Sequence, residues 1–127
     1  MKSHFAMALG LVAGFGLGAV AIGGLHAQGK PPVYTVTEID VTNVDAYAKE
    51  YVPVVQPIIK KAGGKLLAAS LKVTALEGTA PKRVAINVWD SLETAQALYN
   101  SAEYKEAQKI GAKYAKFRRY AVEGVPQ

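Results

Sequence analysis

The chain contains no cysteine, and its only two histidines (His4, His26) and two methionines (Met1, Met7) lie within the first 27 of 127 residues. Each absence removes a chemistry from the hundred residues that follow. They hold no thiolate nucleophile, no disulfide and no thiolate or imidazole metal site. They also hold no imidazole base and no His or Met ligand for a haem iron. General acid–base work in that region falls to carboxylates, tyrosines and lysines. Acids are missing from the first 27 residues, which carry 17 apolar residues, 6 glycines and a single lysine. The rest of the chain, with 14 Lys/Arg and 10 Asp/Glu, has a net charge of +4. A hundred residues suffice for one domain with one core.

Lys2, the uncharged run Phe5–Leu25 and the small Ala27 have the layout of a secretory signal peptide ending near residue 27. The run is also about long enough to span a bilayer. An uncleaved N-terminal anchor is therefore the alternative, and a buried core helix the third. The six glycines make it a poor permanent span. The expected location is exported, periplasmic or secreted, with membrane contact only through an uncleaved N-terminus. Residues 28–32 (QGKPP) read as a stiff linker, so a domain is expected over 33–124.

Val33–Val41 alternates as a two-faced strand, with Tyr34, Val36, Glu38 and Asp40 on one side. Thr42 or Asn43 caps a helix whose apolar period runs from Val44 to Ala62. Pro53 predicts a kink or break near Tyr51–Pro53. Gly63-Gly64 reads as a helix stop; its spacing is not that of a phosphate loop. Lys65–Ala75 and Arg83–Trp89 read as a hairpin. Ser91 caps a helix to about Asn100, a second helix runs from Ala102 to about Lys116, and Phe117–Val122 closes as a strand. The order is β-α-β-β-α-β, an α+β ferredoxin-like fold with a four-stranded antiparallel sheet and helices on one face. The other face would be apolar enough to need covering, and a homodimer would cover it.

Several segments together resemble a known family: Asp45-Ala46-Tyr47, Gly63-Gly64-Lys65, Leu76-Glu77-Gly78 and Tyr99-Asn100-Ser101-Ala102-Glu103-Tyr104. They are similar to the domain-of-unknown-function family numbered 1330, within the dimeric α+β barrel superfamily. The resemblance spans about Val33 to Gly124. It implies a subunit that dimerises through its sheet, and it implies no established activity. It also implies an arginine at the position of Ala69, a glutamate at that of Val88 and an arginine near Gly111. This chain carries small or apolar residues at all three, so any polar site they form is lost or rebuilt here.

The candidate ligand-binding residues are Tyr34, Glu38, Tyr47, Tyr51, Arg83, Asn87 and Trp89. Seven tyrosines against one phenylalanine beyond residue 27 supply apolar bodies with polar tips. They suit a core, or a pocket for a small apolar or aromatic molecule. Arg83, Asn87 and Trp89 alternate on one strand face, as groups that orient and stack on a ligand or anchor an interface. Glu38 is the one weak catalytic candidate, a base raised by burial, with an ion pair to Arg83 or Lys82 as its plainer role. Lys105, Lys109, Lys113 and Lys116 read as a solvated face, and no nucleic-acid partner, cofactor or metal is expected. Three functions stay open: a ligand- or partner-binding homodimer of the cell envelope, a cofactor-independent monooxygenase- or isomerase-like enzyme using Glu38, and a structural role without a pocket.

Overall fold

The computed structural model describes residues 30–126. The expected signal or anchor segment, and the first two linker residues, lie outside the described residues. Strand β1 (Val33–Val41) is followed by one helical rod in three parts: α1 (Val44–Ala46), a π-helical segment π1 (Tyr47–Tyr51) and α2 (Val52–Lys61). Then come β2 (Lys65–Ser70), β3 (Arg83–Trp89), α3 (Leu92–Tyr99), α4 (Ala102–Gly111) and β4 (Ala115–Glu123). The sheet order is β2-β3-β1-β4, with every neighbouring pair antiparallel. This is the expected α+β ferredoxin-like architecture.

The rod keeps going where a kink or break was expected. Asn43, the N-cap, accepts from the Ala46 amide. Pro53 has no amide hydrogen, and its ring would collide with the carbonyl four residues back in a regular α-helix. The chain winds wider just before it, so that the Val52 amide reaches the Tyr47 carbonyl. The wide turn has a second effect. A four-residue step over-rotates by about 40° in an α-helix with 3.6 residues per turn, and the π segment under-rotates to compensate. Tyr47, Tyr51, Val55 and Ile59, each four apart, are all buried. Gly63, at φ +106°, stops the rod.

Strand β2 ends at Ser70, five residues short of expectation, and residues 71–82 form a loop. The Ser70 hydroxyl accepts from the Lys72 amide at 2.8 Å, a local turn that competes with the strand ladder at its end. Helix α4 stops at Gly111, before the expected Lys116, and β4 takes over from Ala115. Gly111 packs against Tyr51, since a Cβ there would fall 2.8 Å from the Tyr51 ring.

The pleat sorts β1 cleanly. Val33, Thr35, Thr37, Ile39 and Val41 are buried under the helices, while Tyr34, Val36, Glu38 and Asp40 take the opposite face. On the helix side Trp89, only 1% exposed, donates from Nε1 to Thr35 Oγ1 at 3.0 Å and sits edge-on to Tyr99. Across the register, Val36, Val84, Ile86, Val88, Tyr120 and Val122 share the bare face. Tyr120 and Val122 are 46% and 51% exposed.

Candidate functional site: a tyrosine-lined cavity behind an apolar groove

Between the sheet and the rod lies a small cavity of about 30 Å³. Its floor is the helix-facing pleat of three strands: Thr37 from β1, Arg83, Ala85 and Asn87 from β3, Phe117 and Arg119 from β4. The register puts Ala85, Thr37 and Arg119 in one row across the sheet. The roof is Tyr47 and Tyr51 from π1, Val55, Gln56 and Ile59 from α2, and Tyr99 and Tyr104 from α3 and α4. Beside it, an open groove of about 700 Å³ runs between α2 and β2, lined by Gln56, Pro57, Ile59, Lys60, Gly64, Lys65, Leu66 and Asn87. Cavity and groove share Gln56, Ile59 and Asn87. The groove therefore lies directly against the cavity, and its size falls within the range of small-molecule pockets.

Hydrogen bonds fix the aromatic roof. Tyr51 and Tyr104 both donate to Gln108 Oε1, at 2.9 and 3.0 Å. The Tyr47 and Tyr51 rings lie 5.2 Å apart, and Tyr99 meets Tyr104 edge-on at 4.9 Å. Burial pushes the Tyr47, Tyr51 and Tyr104 hydroxyls up from their ordinary pKa, and the nearby guanidinium groups pull the other way. All three stay protonated at neutral pH; Tyr51 and Tyr104 donate, while the Tyr47 oxygen takes a hydrogen bond from Arg83.

Two half-buried arginines line the cavity. Arg119 stacks on Tyr99, Tyr104 and Phe117 at 5.0, 5.4 and 5.4 Å, and donates from Nε to Thr37 Oγ1 at 3.0 Å. Arg83 lies 5.3 Å from the Tyr47 ring centre. Among the described residues, neither arginine has a carboxylate within salt-bridge distance, and no acid lines the cavity. Among the described residues, two buried side-chain polar atoms are without a hydrogen-bond partner, Arg83 Nε and Asn87 Oδ1. Asn87 is only 4% exposed.

The seven expected site residues split into three groups. Tyr47, Tyr51, Arg83 and Asn87 come together in this cavity. Trp89 is on the same face but lies beneath α3 as a core anchor. Tyr34 and Glu38 are on the opposite face of the sheet. Glu38 pairs with neither Arg83 nor Lys82; it accepts from Arg118 at 2.6 Å and from Tyr120 at 2.8 Å, both on β4. Those two hydrogen bonds, with Arg118 the larger cause, hold its carboxyl below the ordinary value of 4.5. The upward push of desolvation is outweighed, and the Glu38 carboxylate is a weaker base than a free one. Arg119, Tyr99, Tyr104, Gln56 and Gln108 are additions that the sequence reading did not single out as site residues. Strand alternation alone placed Arg119 with Phe117, opposite Arg118 and Tyr120, and that was the available signal.

Solved structures share this architecture. A protein of unknown function from Rhodopseudomonas palustris is 16% identical, with a TM-score of 0.63 over 84% of this chain and 93% of that one. SnoaB, a cofactor-independent oxygenase from Streptomyces nogalater, is 8% identical, with a TM-score of 0.57 over 76% of this chain and 96% of that one. An uncharacterised NIPSNAP domain protein from Burkholderia xenovorans is 20% identical, with a TM-score of 0.52 over 76% of this chain and 94% of that one. At such identities the likeness is one of fold. No curated protein matches the sequence. The family described as Domain of unknown function (DUF1330) matches residues 32–125, and the chain belongs to that family.

Proposed function

We propose that the protein binds a small aromatic molecule between its sheet and its helices, entering through the groove between α2 and β2. The observation that carries this reading is the adjacency of groove and cavity, which share Gln56, Ile59 and Asn87 as lining. The groove offers the apolar surfaces of Pro57, Ile59 and Leu66 to a ring, and the cavity offers fixed polar groups at its end. Apolar walls with a few placed polar atoms are the usual make-up of a ligand site. The native mass spectrum of protein purified from its own cells tests this. It should show one small-molecule adduct per subunit, absent from a Leu66→Trp variant that fills the groove from an exposed position. An adduct retained in that variant, or none in either protein, would contradict the reading.

Enzymatic use of Glu38 has less support. Its carboxylate lies on the far face, tied to Arg118 and Tyr120. The similarity in fold to an oxygenase does not supply a base in the cavity.

The functional unit we propose is an exported homodimer. Its support is the bare apolar band of Val36, Val84, Ile86, Val88 and Val122, which a second sheet would cover, and the leader-like composition of residues 1–27. The N-terminal residue of protein recovered from the envelope tests export: a start near Gln28 agrees, and Met1 shows an anchor or no export.

A further inference from the structure

We propose that the ligand of this cavity is an aromatic carboxylate whose charged head enters toward Arg83 and Arg119 while its ring stays in the groove. The inference rests on the binding reading above and adds the charge of the ligand to it. Three observations carry it.

First, the cavity holds two guanidinium groups and no acid. Both arginines are half-buried, and even partial desolvation of a cation is unfavourable unless something compensates. Arg119 has partial compensation from three rings and from Thr37. Arg83 has the ring and hydroxyl of Tyr47, and its Nε–H is buried without an acceptor. An anion satisfies that donor with a charge-assisted hydrogen bond, the stronger kind. Second, the volumes divide the ligand. About 30 Å³ holds one small group such as a carboxylate, and about 700 Å³ outside holds a ring. Third, Asn87 at the junction presents an unpartnered acceptor, Oδ1, buried on all sides. A hydroxyl next to the carboxylate would donate to it.

The outer-face cluster of Glu38, Arg118 and Tyr120 points the same way by contrast. There, the arginine has its carboxylate at 2.6 Å. The fold pairs the exposed Arg118 with an acid and leaves the two half-buried cavity arginines without.

Benzoate and benzamide separate charge from hydrogen bonding, because both present the same ring. The amide can donate to Asn87 Oδ1 but brings no charge to Arg83. Titration calorimetry of the full chain, with NMR shifts to locate the site, should show benzoate binding in the groove at least about tenfold tighter than benzamide, the 1.4 kcal/mol expected of one charge-assisted contact. 3-Hydroxybenzoate, which also satisfies Asn87, should bind tightest. In Arg83→Met the preference for benzoate should shrink to within about twofold, because benzoate loses more than benzamide does. Should that variant fail to fold, Arg83→Lys keeps the charge without the fork and should retain a reduced preference. Equal binding of benzoate and benzamide in the groove overturns the charge assignment and leaves the ligand site standing. Binding of neither in the groove overturns both.

Discussion

At the scale of single residues, what distinguishes this protein is where it leaves polar groups without partners. Asn87 Oδ1 and Arg83 Nε are buried and orphaned in one cavity, and a buried unsatisfied group costs about 1–3 kcal/mol. If Arg83 is kept for a ligand, its removal does not harm the ligand-free fold. Arg83→Met should leave the Tm of the ligand-free protein unchanged or raise it, whereas an arginine with a structural role would lose about 2 kcal/mol on truncation. Glu38 makes the opposite case. Its folded-state pKa is depressed by hydrogen bonds from Arg118 and Tyr120, so its stabilising contribution is complete above the unfolded carboxylate pKa. It disappears as pH falls through the lowered folded value. Tyr120→Phe should move the Glu38 carboxyl pKa up toward 4.5 in an NMR titration; an unmoved pKa would show that Arg118 alone sets it. Sequence patterning resolved the faces of β1 and β3, and hence grouped Arg83 with Asn87. It missed that Glu38 pairs with β4, because cross-strand partners depend on register, which local alternation does not encode.

At the scale of elements, the rod from Val44 to Lys61 shows how one local conflict shapes the site. Two prolines argued for a break. The wide turn over Tyr47–Tyr51 absorbs Pro53 instead, and brings both tyrosine rings over the cavity. The helical period of the apolar residues was readable; the change of winding was not, because it is a compromise between proline sterics and burial of a four-residue repeat. The ends of β2 and α4 were misjudged for a related reason. Short propensity runs continue on paper past the point where packing against Tyr51 or a loop ends them. The tight junction after α2 gives a sharp expectation. A Cβ at Gly64 would fall 2.7 Å from both Ile59 and the Trp89 ring. Gly64→Ala should therefore destabilise by about 1–3 kcal/mol in urea unfolding, through overpacking and not through φ. Ser91, which caps α3 by accepting from the Thr94 amide at 3.1 Å, should cost about 1 kcal/mol on change to alanine.

At the scale of the whole molecule, the two faces of the sheet differ in make-up. The helix-covered face holds Trp89 and the core at one end and a polar cavity at the centre. The bare face combines an apolar band with the charged cluster of Glu38 and Arg118. A proposed second copy on that band predicts a dimer by light scattering at micromolar concentration, and Ile86→Glu should give the monomer mass with the fold intact. A wild-type monomer would refute that assembly without touching the cavity. The order of elements made this architecture legible from sequence, since β-α-β-β-α-β with short connections leaves few topologies. The composition of the cavity was half legible: the tyrosines announced an amphipathic interior, while Arg119 and Gln108 joined it only through tertiary packing. The most direct test of the account is an NMR map of aromatic-carboxylate binding to the labelled full chain. Shifts concentrated on Gln56, Ile59, Leu66 and Asn87 are the predicted result; shifts confined to the bare face around Val36 and Ile86, or no saturable shifts at all, would contradict it.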